Sequence, residues 1–271
     1  MATLAASRIE AALRKRDANE NRLILYLTAG DPSLEDTGKL LAAADRGGAD
    51  LIELGVPFSD PLADGVVIQR ASERALQAGT TLAKIMERLS QWRAQVHVPM
   101  ILFSYYNPVL QYGLERFARE LEQTGAEGAL MVDLSPEEAE PCVKAMRERN
   151  LDTVFLASPT STDERLKRIA WLSTGFVYLV SRPGVTGERA SLSAEVGPLV
   201  ERVRRFTNLP LAVGFGLSTP EQIRQVQGLA DAAVVGSAFV RAVEERYSAE
   251  GEQSIERFVR WLKSGTGSRP E

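Results

Sequence analysis

Eight times along the chain, a short run of β-type apolar residues gives way to a longer stretch with helical spacing. The runs fall at residues 23–28, 51–54, 99–104, 129–132, 153–156, 176–180, 210–213 and 232–235. Between them apolar residues recur three and four apart, as in Leu82, Ile85, Met86 and Leu89, or Leu114, Phe117, Ala118 and Leu121. Several of these stretches carry start signals: Thr81, Ser135-Pro136-Glu137-Glu138, Ser161 with Glu164, and Thr219-Pro220-Glu221-Gln222. Eight strand–helix units in succession predict an α/β fold, a (β/α)8 TIM barrel. An open doubly wound sheet is the competing architecture.

At 271 residues the chain has the length of one such barrel, and no shift in composition or long linker divides it. Residues 1–271 are therefore expected to form a single barrel domain. Ser7 and Glu10 have capping-box spacing and Ile9 and Leu13 lie four apart, so residues 1–16 read as an N-terminal amphipathic helix, with a transit peptide the alternative. Residues 264–271 are rich in Gly, Ser and Pro and read as a frayed tail.

A formal net charge of -4 leaves no basic footprint for nucleic acid. No apolar run approaches the ~20 residues that span a bilayer. Cys142 is alone, so neither a disulfide framework nor a cysteine metal site is available, which fits a reducing compartment. The expectation is a cytoplasmic protein that handles a small molecule, with an organellar stroma the alternative.

Barrel enzymes carry their chemistry at the C-terminal ends of the strands, so the residues placed there decide what chemistry is possible. All six lysines fall on predicted helices, which removes the amine that Schiff-base chemistry needs. His97 is the only histidine, just before the third strand and so near the opposite face, where it reads as a connector residue. A histidine-rich zinc or iron site is excluded, although a carboxylate-bound Mg2+ is not. The groups left at strand ends are carboxylates and hydroxyls: Glu53, Asp60, Asp64, Tyr105, Tyr106, Asn107, Asp133, Tyr178 and Thr186.

Three features point to acid–base work on a phosphorylated molecule. Glu53 interrupts an apolar strand, so it is either a salt-bridged structural group facing the helices or a carboxyl at the barrel mouth. In the second case desolvation would raise its pKa toward neutrality and fit it for proton transfer. Gly214-Phe215-Gly216 and Gly236-Ser237-Ala238 follow the seventh and eighth strands, where barrels commonly bind phosphate, although tight turns also use glycine. Residues 181–190 form a long, glycine-bearing connection that is either an ordinary solvated loop or a lid.

Residues 51–65, LIELGVPFSDPLADG, resemble the signature of the tryptophan synthase α chain family. So do Thr28-Ala29-Gly30-Asp31-Pro32, Ser158-Pro159-Thr160-Ser161-Thr162, Gly184-Val185-Thr186-Gly187 and the two glycine segments, so the resemblance covers essentially the whole chain. It implies retro-aldol cleavage of indole-3-glycerol phosphate to indole and glyceraldehyde 3-phosphate, in the last steps of L-tryptophan biosynthesis. Glu53 and Asp64 match the family's catalytic residues. Tyr178, Thr186, Gly187, Gly216, Gly236 and Ser237 match its substrate and phosphate site.

Pro57 and Asp60 match the loop that faces the β chain of an α2β2 complex. No cofactor and no metal is implied for this chain; pyridoxal phosphate is expected only in the β chain. A stand-alone indole-3-glycerol-phosphate lyase and a non-catalytic activator of a β chain are the alternatives. Pro183, within residues 181–190, and Val66, where proline is common, depart from the family pattern.

Overall fold

The structure is a computed structural model that describes residues 7–14, 22–180, 194–214 and 216–265. Among these, nine parallel strands form one sheet: β1 Leu23–Thr28, β2 Leu51–Gly55, β3 Met100–Ser104, β4 Gly128–Met131, β5 Asp152–Val154, β6 Leu156–Ala157, β7 Val177–Val180, β8 Leu211–Gly214 and β9 Ala232–Val235. Their order is β5-β4-β3-β2-β1-β9-β8-β7-β6. The two end strands are consecutive in the chain and separated only by Phe155, whose carbonyl accepts Tyr178 N–H at 3.1 Å. They are two halves of the fifth barrel strand, so the eight expected strand positions close into a barrel. The open sheet is thereby excluded.

Strands buried on both faces read as continuous apolar runs, yet they still alternate. Leu23, Leu25 and Leu27 pack outward under the helices, whereas Ile24 packs inward with Leu51, Ile101, Leu130, Phe176 and Ala212. In β2, Ile52 and Leu54 lie outside and Leu51 inside. A period of two therefore turns Glu53 into the barrel. The same parity points Tyr26 and Tyr178 inward. At the floor, Ile9 and Leu13 of helix Arg8–Leu13 join the interior cluster. Ser7 caps that helix by accepting Glu10 N–H at 3.1 Å.

The floor is also held by acids that each sit just ahead of one strand and accept the first N–H of the neighbouring strand. Asp50 accepts Leu23 N–H, Glu127 accepts Met100 N–H and Asp231 accepts Leu211 N–H, all at 2.7 Å. Each also meets an arginine: Arg22, Arg93 and Arg204 respectively. His97 belongs to this face, its side chain 94% exposed and its Nδ1 2.9 Å from Asp45 Oδ2.

Several helix starts fall where capping residues place them. Ser33, Thr81 and Thr219 accept N–H groups of their first turns, and Thr219 with Gln222 completes a capping box. Two expected starts are corrected. Residues 135–138 close a turn, with Glu138 N–H donating to Ser135 O at 3.1 Å, and the helix begins later, at Glu140–Arg147. Ser161 is engaged with Ser158, so Thr162 is the cap of Asp163–Leu172. Helix Tyr106–Tyr112 was not anticipated. Ser264, expected in the tail, ends helix Glu252–Ser264, and residues 266–271 lie outside the described residues. No helix among the described residues is long and apolar enough to cross a membrane.

Candidate active site

Tyr26 from β1, Glu53 from β2 and Tyr178 from β7 converge on one cavity, with about 470 Å³ of empty space, that Asp64 also lines. Its apolar walls come from Ile68, Phe103, Val132 and Val234, and Ala63, Gly216, Gly236 and Ser237 complete it. Glu53 and Tyr26 are register partners on adjacent strands. The cavity therefore gathers residues from seven segments widely separated in sequence.

Glu53 is 1% exposed, and neither of its carboxylate oxygens has a hydrogen-bond partner among the described residues. Burial pushes its pKa up from 4.5 to about 8. Such a carboxyl is mostly protonated at pH 7 and becomes a strong base once it has given up its proton. A salt-bridged group facing the helices is ruled out by both its direction and its lack of a cation among the described residues.

Asp64 is 4% exposed and sits one residue before Gly65, the N-cap of helix Val66–Gln77. Its N–H donates to Pro61 O at 3.0 Å, and Gln69 Nε2 donates to its carbonyl at 2.7 Å, so the backbone there is fixed. Burial raises its pKa to about 6, against the pull of the Tyr105 hydroxyl, which donates to Oδ2 at 3.1 Å. At pH 7 the two carboxyls thus differ in charge, Asp64 mostly ionised and Glu53 mostly neutral. Carboxyls driven apart in this way can serve as acid and anion in one reaction.

Both phenols stay neutral, since burial first and the neighbouring carboxylates second hold Tyr26 and Tyr178 far above the usual tyrosine range. Each lies over a glycine. A Cβ on Gly55 would sit 2.2 Å from Tyr26 Oη, and one on Gly214 would sit 2.0 Å from Tyr178 Oη.

The expected phosphate residues Gly216, Gly236 and Ser237 share this cavity with the carboxylates. Gly216 has φ +88°, a backbone conformation suited to glycine. Gly236 leads into helix Ser237–Ala242, and its carbonyl accepts Phe239 and Val240 N–H at 2.8 and 3.0 Å. The amides ahead of these have no carbonyl within the helix to meet. Thr186 and Gly187, together with Pro183, and likewise Phe215, lie outside the described residues.

Other strand-end candidates do not enter the cavity. Asp133 is exposed and accepts Tyr106 N–H at 2.7 Å, and Asn107 is exposed on helix Tyr106–Tyr112. Of the two residues matched to a partner-facing loop, Pro57 is buried and Asp60 is exposed. Beside Asp60, Leu62 and Val66 are 84% and 60% exposed. Sequence reasoning missed Tyr26, Ile68, Phe103, Val132 and Val234; strand parity, read outward from Glu53, would have found Tyr26. The described lysines Lys39, Lys84, Lys144, Lys167 and Lys263 are all on helices, and no cluster of three or more acidic, His or Cys side chains among the described residues could hold a metal ion.

Fold and cavity together define a (β/α)8-barrel protein with a cavity lined by two buried carboxyls, Glu53 and Asp64. The chain belongs to the tryptophan synthase alpha chain family, whose model matches residues 12–265. It is 57% identical over 252 residues to the tryptophan synthase alpha chain of Solibacter usitatus, covering 93% of this chain and 94% of that one. The Geobacter sulfurreducens alpha chain is 44% identical over 263 residues, 97% of this chain and all of its own length. Among solved structures, Mycobacterium tuberculosis tryptophan synthase superposes with a TM-score of 0.88 at 36% identity, over 96% of this chain and 98% of that chain. The Legionella pneumophila alpha subunit gives a TM-score of 0.84 at 36% identity over the same shares.

Proposed function

We propose that Glu53 and Asp64 carry out the alpha-chain reaction, the retro-aldol cleavage of indole-3-glycerol phosphate. The observation that carries this reading is the buried, unpartnered Glu53 carboxyl beside an ionised Asp64 in one cavity. Neutral Glu53 protonates indole C3, and positive charge develops at the ring nitrogen, which the Asp64 carboxylate stabilises. The hydroxyl on the carbon attached to C3 then gives its proton to the Glu53 carboxylate. The carbon–carbon bond breaks, its electron pair returns to the ring, and indole and glyceraldehyde 3-phosphate result. Glu53 ends protonated, as it began.

The protonated indole is the electron sink, so the α chain carries no cofactor, and pyridoxal phosphate belongs to the β chain. Tyr178 packs beside the reacting group. Gly216, Gly236 and Ser237 receive the phosphate, and Thr186 and Gly187 complete the substrate site. Asp60, with Pro57 shaping the loop beneath it, faces the β chain in an α2β2 complex. We infer that residues 1–271 work as one barrel unit in the cytoplasm, in keeping with the lone buried thiol of Cys142.

The test is indole release from indole-3-glycerol phosphate by the purified chain, with and without a tryptophan synthase β chain. Slow release that rises strongly with β is the expected result, and Glu53→Gln should lose at least ~10²-fold in rate while still binding β. Fast release that ignores β would make this a stand-alone lyase. No release in either condition would leave only an activator of the β chain.

A further inference from the structure

Asp64 is held by a residue that stands outside the cavity lining. Tyr105 follows β3, precedes helix Tyr106–Tyr112 and is buried. Its hydroxyl accepts Ala63 N–H at 2.9 Å and donates to Asp64 Oδ2 at 3.1 Å. The ring is braced by Phe58, with centroids 4.9 Å apart and planes at 31°. The backbone just beyond is pinned by Tyr106 N–H on Asp133 Oδ1.

A phenol that already accepts a backbone N–H has one proton to give, in one direction, and acceptance makes it a better donor. That proton meets Oδ2, which leaves Oδ1 as the Asp64 oxygen available to a ligand. The ionisable groups that face Asp64 from other elements are Tyr26 on β1, Glu53 on β2 and Tyr178 on β7, and Asp133 faces Tyr105 from beyond β4. None of them is a cation. Among the described residues, Tyr105 is the side chain that donates to the Asp64 carboxylate.

We propose that Tyr105 is the positioning residue of Asp64, fixing through one hydroxyl both the backbone ahead of the carboxylate and the oxygen it turns to the cavity. The link to catalysis rests on the role given to Asp64 above. Because Phe58 belongs to the loop that carries Asp60, the same ring also ties the partner-facing surface to the carboxylate.

Tyr105→Phe keeps the ring against Phe58 and removes both hydrogen bonds. The decisive measurement is the titration of Asp64, followed by NMR with side-chain-labelled aspartate and assigned with Asp64→Asn. In Tyr105→Phe the carboxyl should titrate at higher pH, and the acid limb of kcat/KM should move with it. kcat should fall about 10–100-fold, the loss of one hydrogen bond to a charged group, with KM little changed. An unshifted Asp64 titration in folded Tyr105→Phe overturns the proposal. Should that variant fail to fold, replacing Tyr105 with 3-fluorotyrosine, a stronger donor of the same shape, must move the titration to lower pH, and no movement overturns it equally. A shifted titration, combined with full turnover in both Tyr105→Phe and Asp64→Asn, would uphold the positioning and remove Asp64 from the reaction.

Discussion

The phenol of Tyr178 lies across the backbone of Gly214 on the neighbouring strand, with Oη 2.0 Å and Cζ 2.5 Å from where a Cβ on residue 214 would stand. Gly214 is therefore part of the cavity as much as the tyrosine is, because its missing side chain is the space the phenol uses. Gly214→Ala must push the ring away from the cavity floor or distort β8. The expected outcome is a loss of about 1–3 kcal/mol of stability, as for other overpacked interiors, together with a fall in kcat/KM. Denaturant unfolding and steady-state indole release measure the two effects. Wild-type values for both would show that Tyr178 can leave its place without consequence.

The proposed reaction needs Asp64 ionised and Glu53 protonated at its start. Asp64 loses its proton near pH 6 and Glu53 near pH 8. The profile of kcat/KM against pH should therefore be a bell with limbs near those values and a maximum between them. Asp64→Asn should abolish the acid limb in whatever activity remains. A rate that still climbs above pH 8 would mean that the neutral form of Glu53 is not the reactive one.

Holding Glu53 in this state costs stability, and the sign of the pH dependence follows from its raised pKa. In the unfolded chain the carboxyl ionises near 4.5, and in the folded chain near 8. Folding is thus unpenalised below the lower value, and stability is lost as pH rises through the upper one. Glu53→Gln carries no charge to desolvate, so its stability relative to wild type should increase from pH 5 to pH 9 by up to about 4 kcal/mol, at 1.36 kcal/mol per tenfold change in proton affinity. Urea unfolding at the two pH values provides the comparison. A difference that stayed constant with pH would mean that Glu53 is solvated in the folded protein.

Much of this was legible in the sequence, and the reasons differ from residue to residue. β1 and β9 appear where expected because a buried parallel strand is a bounded apolar run. The inward direction of Glu53 could not be read, because apolar residues on both faces hide the alternation until packing shows which set is inside. Asp50, Glu127 and Asp231 gave no signal either. Each acts on a strand 20 to 27 residues earlier, and only barrel closure brings the pair together. Tyr105 stood among the strand-end residues, but its partner lies on another strand's loop, 41 positions away. Ser135 and Ser161 show the reverse failure, since local capping patterns there lost to a turn and to a serine pair.

The partner surface can be separated from the cavity by charge. Leu62 is 84% exposed between Asp60 and Asp64 on the same loop, and Val66 lies 60% exposed one turn further on. If the β chain docks at this loop, as proposed, these are the apolar side chains it would bury. Leu62→Asp leaves the cavity lining untouched, so basal indole release by the isolated chain should be unchanged. Stimulation by the β chain should require a β concentration at least about tenfold higher, because a buried, unpaired carboxylate at an interface costs upward of 1.4 kcal/mol. Titrating β into each protein while following indole release gives both numbers. Equal stimulation at equal β concentration would move the docking face away from this loop, even if the chemistry assigned to Glu53 stands.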